Sequence, residues 1–202
     1  DAESVVVTFE PHPRVAMGRT EGFGLLTTVE ERAYLLAGCG VQHVVVAHFD
    51  EAFRSLSYEE FVQRLLVEKL GMVGMVVGYN HRLGHNSEGH FEGLHSLGAA
   101  HGFEVERVAQ YTDAGDKVSS TVIRSLFVGG NMARVAQLLG HAYIVIGDCA
   151  YGVVSVCDEY KMLPAEGEYS AVVNGTPQRV RIERRGVVLE EPCEGRVTIE
   201  FE

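Results

Sequence analysis

Cysteine is scarce in this sequence, long apolar runs are missing, and basic residues are outnumbered by acidic ones. The four cysteines, Cys39, Cys149, Cys157 and Cys193, are widely spaced and form no CxxC pair, which excludes a dense disulfide framework. No apolar segment approaches the roughly 20 residues that a bilayer-spanning helix needs, and we identify no secretory signal. The formal net charge of −11 argues against a nucleic-acid partner, because such binding is driven by basic surface. These absences predict a cytoplasmic protein with reduced thiols and with neither a nucleic-acid nor a membrane partner.

The first two thirds of the sequence alternate apolar strands with helices. Two helix starts have capping-box spacing, Thr28 with Glu31 and Ser57 with Glu60. A third helix is predicted over Phe91–His101. The predicted strands are Ser4–Phe9, His43–Phe49, Met72–Val77 and Phe103–Ala109. This alternation predicts an α/β fold with a doubly wound parallel sheet and right-handed crossovers.

The sequence changes character after a short helix that ends at Leu139-Gly140. From Tyr143 onward, short β-rich runs are separated by turn signals, and Asn174-Gly175 is typical of a two-residue hairpin loop. We therefore predict a boundary near His141, with domains 1–141 and 142–202. The second domain, of about 60 residues, is small for an independent core. We expect it to be antiparallel and to lean on the first domain.

Candidate binding residues follow two of the predicted strands, because open α/β sheets bind ligands beyond the carboxyl ends of their strands. Pro11, His12 and Pro13 follow the first strand, where the two prolines stiffen the backbone around the imidazole. A rigid turn with a solvated histidine is the alternative for that segment. Glycines flank a polar cluster after the third strand, which allows the backbone to approach a ligand closely. Its residues are Gly78, Asn80, His81, Arg82 and Gly84.

A second candidate site is the hydroxyl-rich start of the helix predicted within Asp116–Gly130. Ser119, Ser120 and Thr121 precede an apolar run, and Arg124 follows one turn later on the same face. Helix N-termini attract anions, and a guanidinium forks onto phosphate oxygens. These residues indicate either a phosphate-binding site for a nucleotide or an ordinary capped helix with a surface arginine.

Two other chemistries are disfavoured by spacing. His81, His85, His90 and His95 are close in sequence but lack the paired spacing of a zinc site, so we predict no metal-binding residues. The sequence has no Gly-x-Ser-x-Gly elbow, which disfavours a serine hydrolase.

Five collinear motifs resemble the bacterial FAD synthetases, the adenylyltransferase part of the bifunctional riboflavin kinase/FMN adenylyltransferases. The resemblance covers about Val5 to Gly147. The motifs are TFEPHP (Thr8–Pro13), LLTTVEER (Leu25–Arg32), FDEAFRSLSYEEF (Phe49–Phe61), VVGYNHRLGHNSEG (Val76–Gly89) and KVSSTVIRSL (Lys117–Leu126). Because they occur in order, together they are far more specific than any one motif alone.

The resemblance implies a Rossmann-like nucleotidyltransferase sheet followed by a small antiparallel β-barrel-like domain. It also implies that the protein joins FMN to the AMP part of ATP, with Mg²⁺, giving FAD and pyrophosphate. Ser119, Ser120 and Thr121 would hold triphosphate oxygens, and Arg124 would stabilise the leaving pyrophosphate. The flavin side would be formed by Pro11, His12, Pro13, Asn80, His81 and Arg82, with Gly78 and Gly84 giving the backbone room.

The sequence departs from the family pattern at three places. His81 and Leu83 replace the two aromatic residues of the family's glycine-rich loop. The histidine motif Gly-x-Phe-Asp-Gly-x-His-x-Gly-His is not found, and we expect it, with its strand, upstream of Asp1. Met162–Gly175 resembles a riboflavin kinase strand, but the Gly-Phe-Pro-Thr-Ala-Asn segment is missing, which predicts a kinase-inactive domain. A non-catalytic nucleotide- or flavin-binding module is the alternative, and the oligomeric state is left open.

Overall fold

A computed structural model describes residues 2–81, 83–84 and 88–202 of the chain. Twenty elements follow one another in these ranges. In chain order they are β1 (Val5–Glu10), α1 (Pro13–Ala16), α2 (Val29–Gly38), β2 (His43–His48), α3 (Glu51–Arg54), α4 (Tyr58–Phe61), a π-helix (Val62–Val67), β3 (Gly74–Gly78), α5 (Phe91–His101), β4 (Glu104–Val108), β5 (Thr112–Asp113), β6 (Asp116–Lys117), α6 (Ser120–Val128), α7 (Met132–Leu139), β7 (Tyr143–Ala150), β8 (Val153–Ser155), β9 (Gly167–Val173), β10 (Thr176–Glu183), β11 (Gly186–Leu189) and β12 (Gly195–Phe201).

The chain forms two compact units, each made of two separate stretches of sequence. The first contains Asp1–Gly18 and Val45–Thr112, and the second contains Arg19–Val44 and Asp113–Glu202. The predicted division into domains 1–141 and 142–202 stays a prediction.

The first unit has α/β architecture. In its described part β1 is hydrogen-bonded to β2, and β3 pairs in parallel with β4 from Gly74 opposite Glu104 to Gly78 opposite Val108. All four predicted strands lie within two residues of their expected bounds. The buried core of the unit lies between these strands and the helices that follow them. It consists of Phe61, Val62, Leu66, Val77, Leu94 and Phe103.

Both predicted capping boxes are confirmed. Thr28 accepts from the N–H of Glu31, whose carboxylate accepts from the N–H of Thr28, and Ser57 and Glu60 make the same reciprocal pair. The helix that starts after Ser57 changes type along its length. After α4 it continues as the π-helix, in which the N–H of Glu68 bonds to the carbonyl of Gln63. Phe61 and Leu66 of this segment are buried.

The second unit is built around a closed six-stranded antiparallel barrel. Neighbouring strands follow the order β10, β11, β8, β7, β12, β9, and β9 closes on β10. The hairpin predicted at Asn174-Gly175 is confirmed, since φ is +47° and +83° at the two residues, as a type I′ turn requires. Apolar side chains of α6 and α7 pack in the same cluster as the barrel interior. The predicted class, α/β followed by a small antiparallel barrel, is therefore confirmed.

None of the helices in the described ranges combines the length and apolar character needed to cross a bilayer. Within those ranges, no three histidine, cysteine or acidic side chains are grouped so that they could hold a metal ion.

Candidate functional site

The hydroxyl-rich segment predicted to start a helix does start α6. Ser119 has extended backbone angles and is the N-cap, and its Oγ accepts from the N–H of Val122 at 3.3 Å. Ser120 and Thr121 are exposed in the first turn, which is described in full and has no acidic residue. The helix therefore presents exposed hydroxyls and the positive end of its dipole without a competing carboxylate in that turn.

Arg124 lies one turn into α6 and is oriented by two contacts. Its Nε donates to the carbonyl oxygen of Gly24 at 2.7 Å, and its guanidinium carbon lies 5.0 Å from the ring centroid of Phe23. Residues three or four apart share a helix face, so the guanidinium is on the side of Ser120 and Thr121. A guanidinium carries five N–H donors in a fixed plane, and the stack and the Nε bond together set the direction of that plane.

The segment that contacts Arg124 is itself bound to the barrel unit's 160–162 segment. The N–H of Leu25 donates to the carbonyl of Tyr160 at 2.8 Å, and the N–H of Met162 donates to the carbonyl of Leu25 at 2.9 Å. Gly24 packs closely here, because a Cβ at this position would lie 2.3 Å from Cγ of Met162. Residue 24 must therefore be glycine for the two segments to approach as they do.

A buried ion pair lies beside this contact. Nζ of Lys161 is 2.7 Å from Oε2 of Glu31, and neither side chain is exposed to solvent. Nζ also donates to the carbonyls of Leu26 and Ile144, each at 2.8 Å. Glu31 in turn accepts from the N–H of Ile146 at 3.0 Å through its other oxygen. Burial lowers the pKa of Lys161 to about 8, although the neighbouring Glu31 carboxylate opposes that change.

Tyr143 completes the surroundings of the ammonium group. Its ring centroid lies 4.2 Å from Nζ of Lys161, and its hydroxyl donates to the carbonyl of Met162 at 2.8 Å. Burial raises the pKa of Tyr143 well above its ordinary value, and the Glu31 carboxylate adds to the increase. The phenol therefore stays neutral and serves as a hydrogen-bond donor over the whole physiological pH range.

The proline-flanked histidine of the first unit caps a short helix. Glu10-Pro11 is a cis peptide, Pro13 is the first residue of α1, and His12 is its N-cap. Nδ1 of His12 accepts from the N–H of Arg14 at 3.2 Å, which gives the imidazole a local structural contact. The predicted role of Pro11, His12 and Pro13 beside a flavin stays a prediction.

The predicted glycine-rich loop follows β3. Gly78 ends the strand, Asn80 and His81 are exposed, and the N–H of His81 donates to the carbonyl of Gly78 at 3.1 Å. Partial desolvation lowers the pKa of His81. Arg82, another predicted flavin-side residue, lies outside the described residues.

Gly84 has a local structural explanation. Its φ is +76°, and a Cβ there would lie 2.3 Å from the backbone nitrogen of Tyr58. Gly89 and Gly93 also face Tyr58, since their Cβ positions would lie 2.6 Å and 3.1 Å from its side-chain atoms. Gly84 thus makes room for Tyr58, and its predicted role toward a ligand stays a prediction.

The predicted site residues therefore fall in two groups. The first unit holds Pro11, His12, Pro13, Gly78, Asn80, His81 and Gly84, and the second holds Ser119, Ser120, Thr121 and Arg124.

The residues that orient Arg124 were not predicted from the sequence. Phe23 and Gly24 precede the LLTTVEER motif, and Glu31 lies within it. Lys161 follows Asp158, Glu159 and Tyr160, so nothing in the local sequence marked it as a buried residue.

Comparison with known proteins places this geometry in context. Residues 1–122 match the protein-family model described as FAD synthetase. The chain is 29% identical over 185 residues to the bifunctional riboflavin kinase/FMN adenylyltransferase of Escherichia coli (strain K12), covering 87% of this chain and 59% of that protein. It is 30% identical over 177 residues to an FAD synthetase of Listeria monocytogenes, covering 86% of this chain and 71% of that protein. Among solved structures, a protein from Streptococcus pneumoniae described as a macrolide-efflux protein has the same fold, with a TM-score of 0.78 at 22% identity, covering 98% of this chain and 73% of that one.

Proposed function

The chain belongs to the FAD synthetase family, and from this premise we propose that it transfers AMP from ATP to FMN. In this reaction a phosphate oxygen of FMN attacks the α-phosphorus of ATP. A new phosphorus–oxygen bond joins FMN to AMP, the bond to the β-phosphate breaks, and pyrophosphate leaves with the electron pair. The products are FAD and pyrophosphate. The matched relatives carry such names, and this chain spans 59% of the length of the E. coli protein.

The observation that carries the proposal is the arrangement at the start of α6. Hydroxyls, a capped helix N-terminus and an oriented guanidinium on one face form a site suited to a polyphosphate. In nucleotidyl transfer the protein mainly positions reactants and stabilises charge that develops on the leaving group. We assign Ser119, Ser120 and Thr121 to the triphosphate and Arg124 to the leaving pyrophosphate.

The residues proposed to contact the flavin belong to the first unit. They are Pro11, His12, Pro13, Gly78, Asn80, His81, Arg82 and Gly84. Asn80 and His81 are exposed after β3, which supports a role in contacting a ligand.

We propose that Mg²⁺ binds together with the nucleotide. Mg²⁺ is usually held by substrate phosphates and water with one or two carboxylates. The described residues include no group of three candidate metal ligands. They therefore fit an ion that is held mainly by the triphosphate. When bound, the ion would neutralise phosphate charge.

All four cysteines are free thiols in the structure, which supports a reducing, cytoplasmic location.

The barrel is proposed to lack riboflavin kinase activity. Its connection between β8 and β9 includes a compact turn in which Asp158 accepts from the N–H groups of Tyr160 and Lys161. The same connection carries Lys161 into the buried ion pair with Glu31. These contacts support a structural role for the segment in place of phosphate binding.

The test is a synthesis assay on the full-length protein with ATP and Mg²⁺, in which FMN and riboflavin are supplied in parallel and FAD is followed by chromatography. FAD from FMN alone is the expected result. FAD from riboflavin as well would refute the kinase-inactive barrel. A folded protein that binds ATP but makes no FAD from either flavin would instead be a nucleotide- or flavin-binding module.

A further inference from the structure

Arg124 owes its orientation to residues outside its own helix. The carbonyl of Gly24 accepts its Nε–H, and the ring of Phe23 stacks against its guanidinium. Both contacts come from a segment about 100 residues earlier in the chain. The direction of the guanidinium plane therefore depends on how that segment is fixed.

The 23–26 segment lies outside the helices and strands, and the barrel unit fixes it. Leu25 forms an isolated parallel bridge with Lys161 and exchanges backbone hydrogen bonds with Tyr160 and Met162. The side chain of Met162 fills the space that a Cβ on Gly24 would need. A segment without repeating backbone structure is rigid only where such outside contacts hold it.

Lys161 ties this contact to the barrel interior. Its three N–H bonds go to the carbonyl of Leu26, the carbonyl of Ile144 on β7, and the carboxylate of Glu31. An ammonium group has three donors, so all of them are used. The lysine thereby joins the 23–26 segment, β7 and α2 through one buried atom.

We propose that the 160–162 segment of the barrel unit and residues Phe23 and Gly24 are positioning elements for Arg124. Through them the barrel unit sets the orientation in which Arg124 stabilises the charge on the leaving pyrophosphate. The inference rests on the proposed function for its consequence in turnover. Preorganised donors contribute more to catalysis than mobile ones, because they need not reorganise as charge develops. The barrel thus acts on nucleotidyl transfer through Arg124 and without contacting substrate.

The orientation itself is tested by NMR, independently of any activity. The Nε–H signal of Arg124 is assigned in the full-length protein by its loss in Arg124→Lys. We expect that signal to exchange with water about tenfold or more slowly than those of exposed arginines, as hydrogen-bonded groups do. Gly24→Ala should abolish the protection, and the control Gly38→Ala, whose Cβ meets nothing within 4 Å, should preserve it. An unprotected Nε–H in the parent protein would overturn the proposal.

The consequence for turnover is tested by a double-mutant cycle on FAD formation. Phe23→Leu should lower kcat by about tenfold, the scale of a partly desolvated cation–π contact, with KM for FMN unchanged. Phe23→Tyr should restore it. In the Arg124→Ala background, Phe23→Leu should not lower kcat further, because Phe23 acts through the side chain that Arg124→Ala has removed. Equal losses in both backgrounds would show a general structural role and refute the positioning role.

A matched control removes a similar contact elsewhere. Arg107 lies 4.7 Å from the ring of Phe91 in the first unit, so Phe91→Leu deletes a comparable stack away from Arg124. We expect kcat to stay within about twofold, as for contacts that do not touch the reacting groups.

If the parent protein makes no FAD while the Nε–H signal of Arg124 is protected from exchange, the proposed function fails and the positioning inference stands.

Discussion

Lys161 and Glu31 are paired in the interior of the barrel unit, with 2.7 Å between Nζ and Oε2 and no solvent exposure on either side chain. Removing one partner of such a pair leaves an uncompensated buried charge, whereas an exposed pair contributes little. The pair therefore stabilises the barrel unit, and Lys161 also belongs to the 160–162 segment that holds Phe23 and Gly24 beside Arg124.

We expect Lys161→Met to lower the free energy of unfolding by about 3–5 kcal/mol, because the Glu31 carboxylate and two backbone carbonyls lose their shared donor. Urea unfolding followed by circular dichroism measures the change. The control is Arg179→Ala, which removes an exposed pair with Glu168 and should cost at most about 1 kcal/mol. Similar costs for the two variants would contradict the burial of the pair.

The stability of the protein should depend on the titration of Lys161. Its folded pKa of about 8 is below the ordinary lysine value of about 10.4, so between these pH values the unfolded chain binds more protons. The lysine's contribution to the free energy of unfolding therefore rises with pH by up to about 1.4 kcal/mol per unit, and it is lost as pH falls through 8.

The measurement for this titration is urea unfolding at several pH values between about 7 and about 10, taken as the difference between the parent protein and Lys161→Met. We expect the difference to be level below pH 8 and to rise above it. The series stops near pH 10 because, above about 10.4, Lys161 is neutral in both the folded and the unfolded chain and adds no further slope. A difference that stays level or decreases from about pH 8 to about pH 10 would show that the pKa of Lys161 is not depressed.

Arg124→Ala should lower kcat for FAD formation by about a hundredfold or more, the scale of removing one transition-state donor. Arg124→Lys should recover little of the loss, because an ammonium can neither stack on Phe23 nor present a planar fork. Steady-state kinetics of the full-length protein measure both. Arg181→Ala, at an exposed barrel residue, is the control and should leave kcat unchanged. Full turnover in Arg124→Ala would remove that residue from the mechanism.

Ser119 has a capping role and a proposed phosphate-binding role, and one substitution separates them. Aspartate caps helices as well as serine does, so Ser119→Asp should keep the free energy of unfolding within about 0.5 kcal/mol. Its negative charge would face the triphosphate, and we expect KM for ATP to rise about tenfold or more. The companion Ser119→Ala should cost about 1 kcal/mol of stability. An unchanged KM for ATP in Ser119→Asp would favour the ordinary capped helix.

The cysteines should differ sharply in reactivity. Cys39 and Cys157 are exposed, whereas Cys149 is buried and its thiol donates to the carbonyl of Cys193 at 2.9 Å. Burial raises the pKa of Cys193, and the hydrogen bond with the Cys149 thiol adds to the increase, so less of the reactive thiolate forms there. Iodoacetamide labelling followed by peptide mass spectrometry should find Cys39 and Cys157 modified first. Labelling in denaturant is the control, and early modification of Cys149 in the folded protein would contradict the structure.

Features encoded by neighbouring residues were predictable from the sequence. The capping boxes at Thr28 and Ser57 and the hairpin at Asn174-Gly175 each depend on residues within four positions, and all three are confirmed. The π-helix was missed because Phe61 and Leu65 have the i,i+4 spacing of an α-helix, whereas the buried pair Phe61 and Leu66 has the i,i+5 spacing of the wider turn.

The contacts that orient Arg124 were not predictable in the same way. The sequence places Ser120 and Thr121 on the helix face of Arg124, because residues three or four apart share a face by helical periodicity alone. The contacts of Phe23 and Gly24 with Arg124 depend on the distant residues Tyr160 and Met162, which hold the 23–26 segment in place. No local pattern reports a contact between segments so far apart.

The two-segment construction of the barrel unit has a consequence for biosynthesis. Residues 19–44 leave the ribosome before residues 113–202, and 135 positions separate Leu26 from Lys161. Until Lys161 emerges, the Glu31 carboxylate must remain hydrated, because no described partner for its charge has yet been synthesised. The earliest segment of this unit is therefore completed by a later one, and in a nascent chain stalled before residue 161 the helix α2 would lack the lysine with which its buried glutamate pairs.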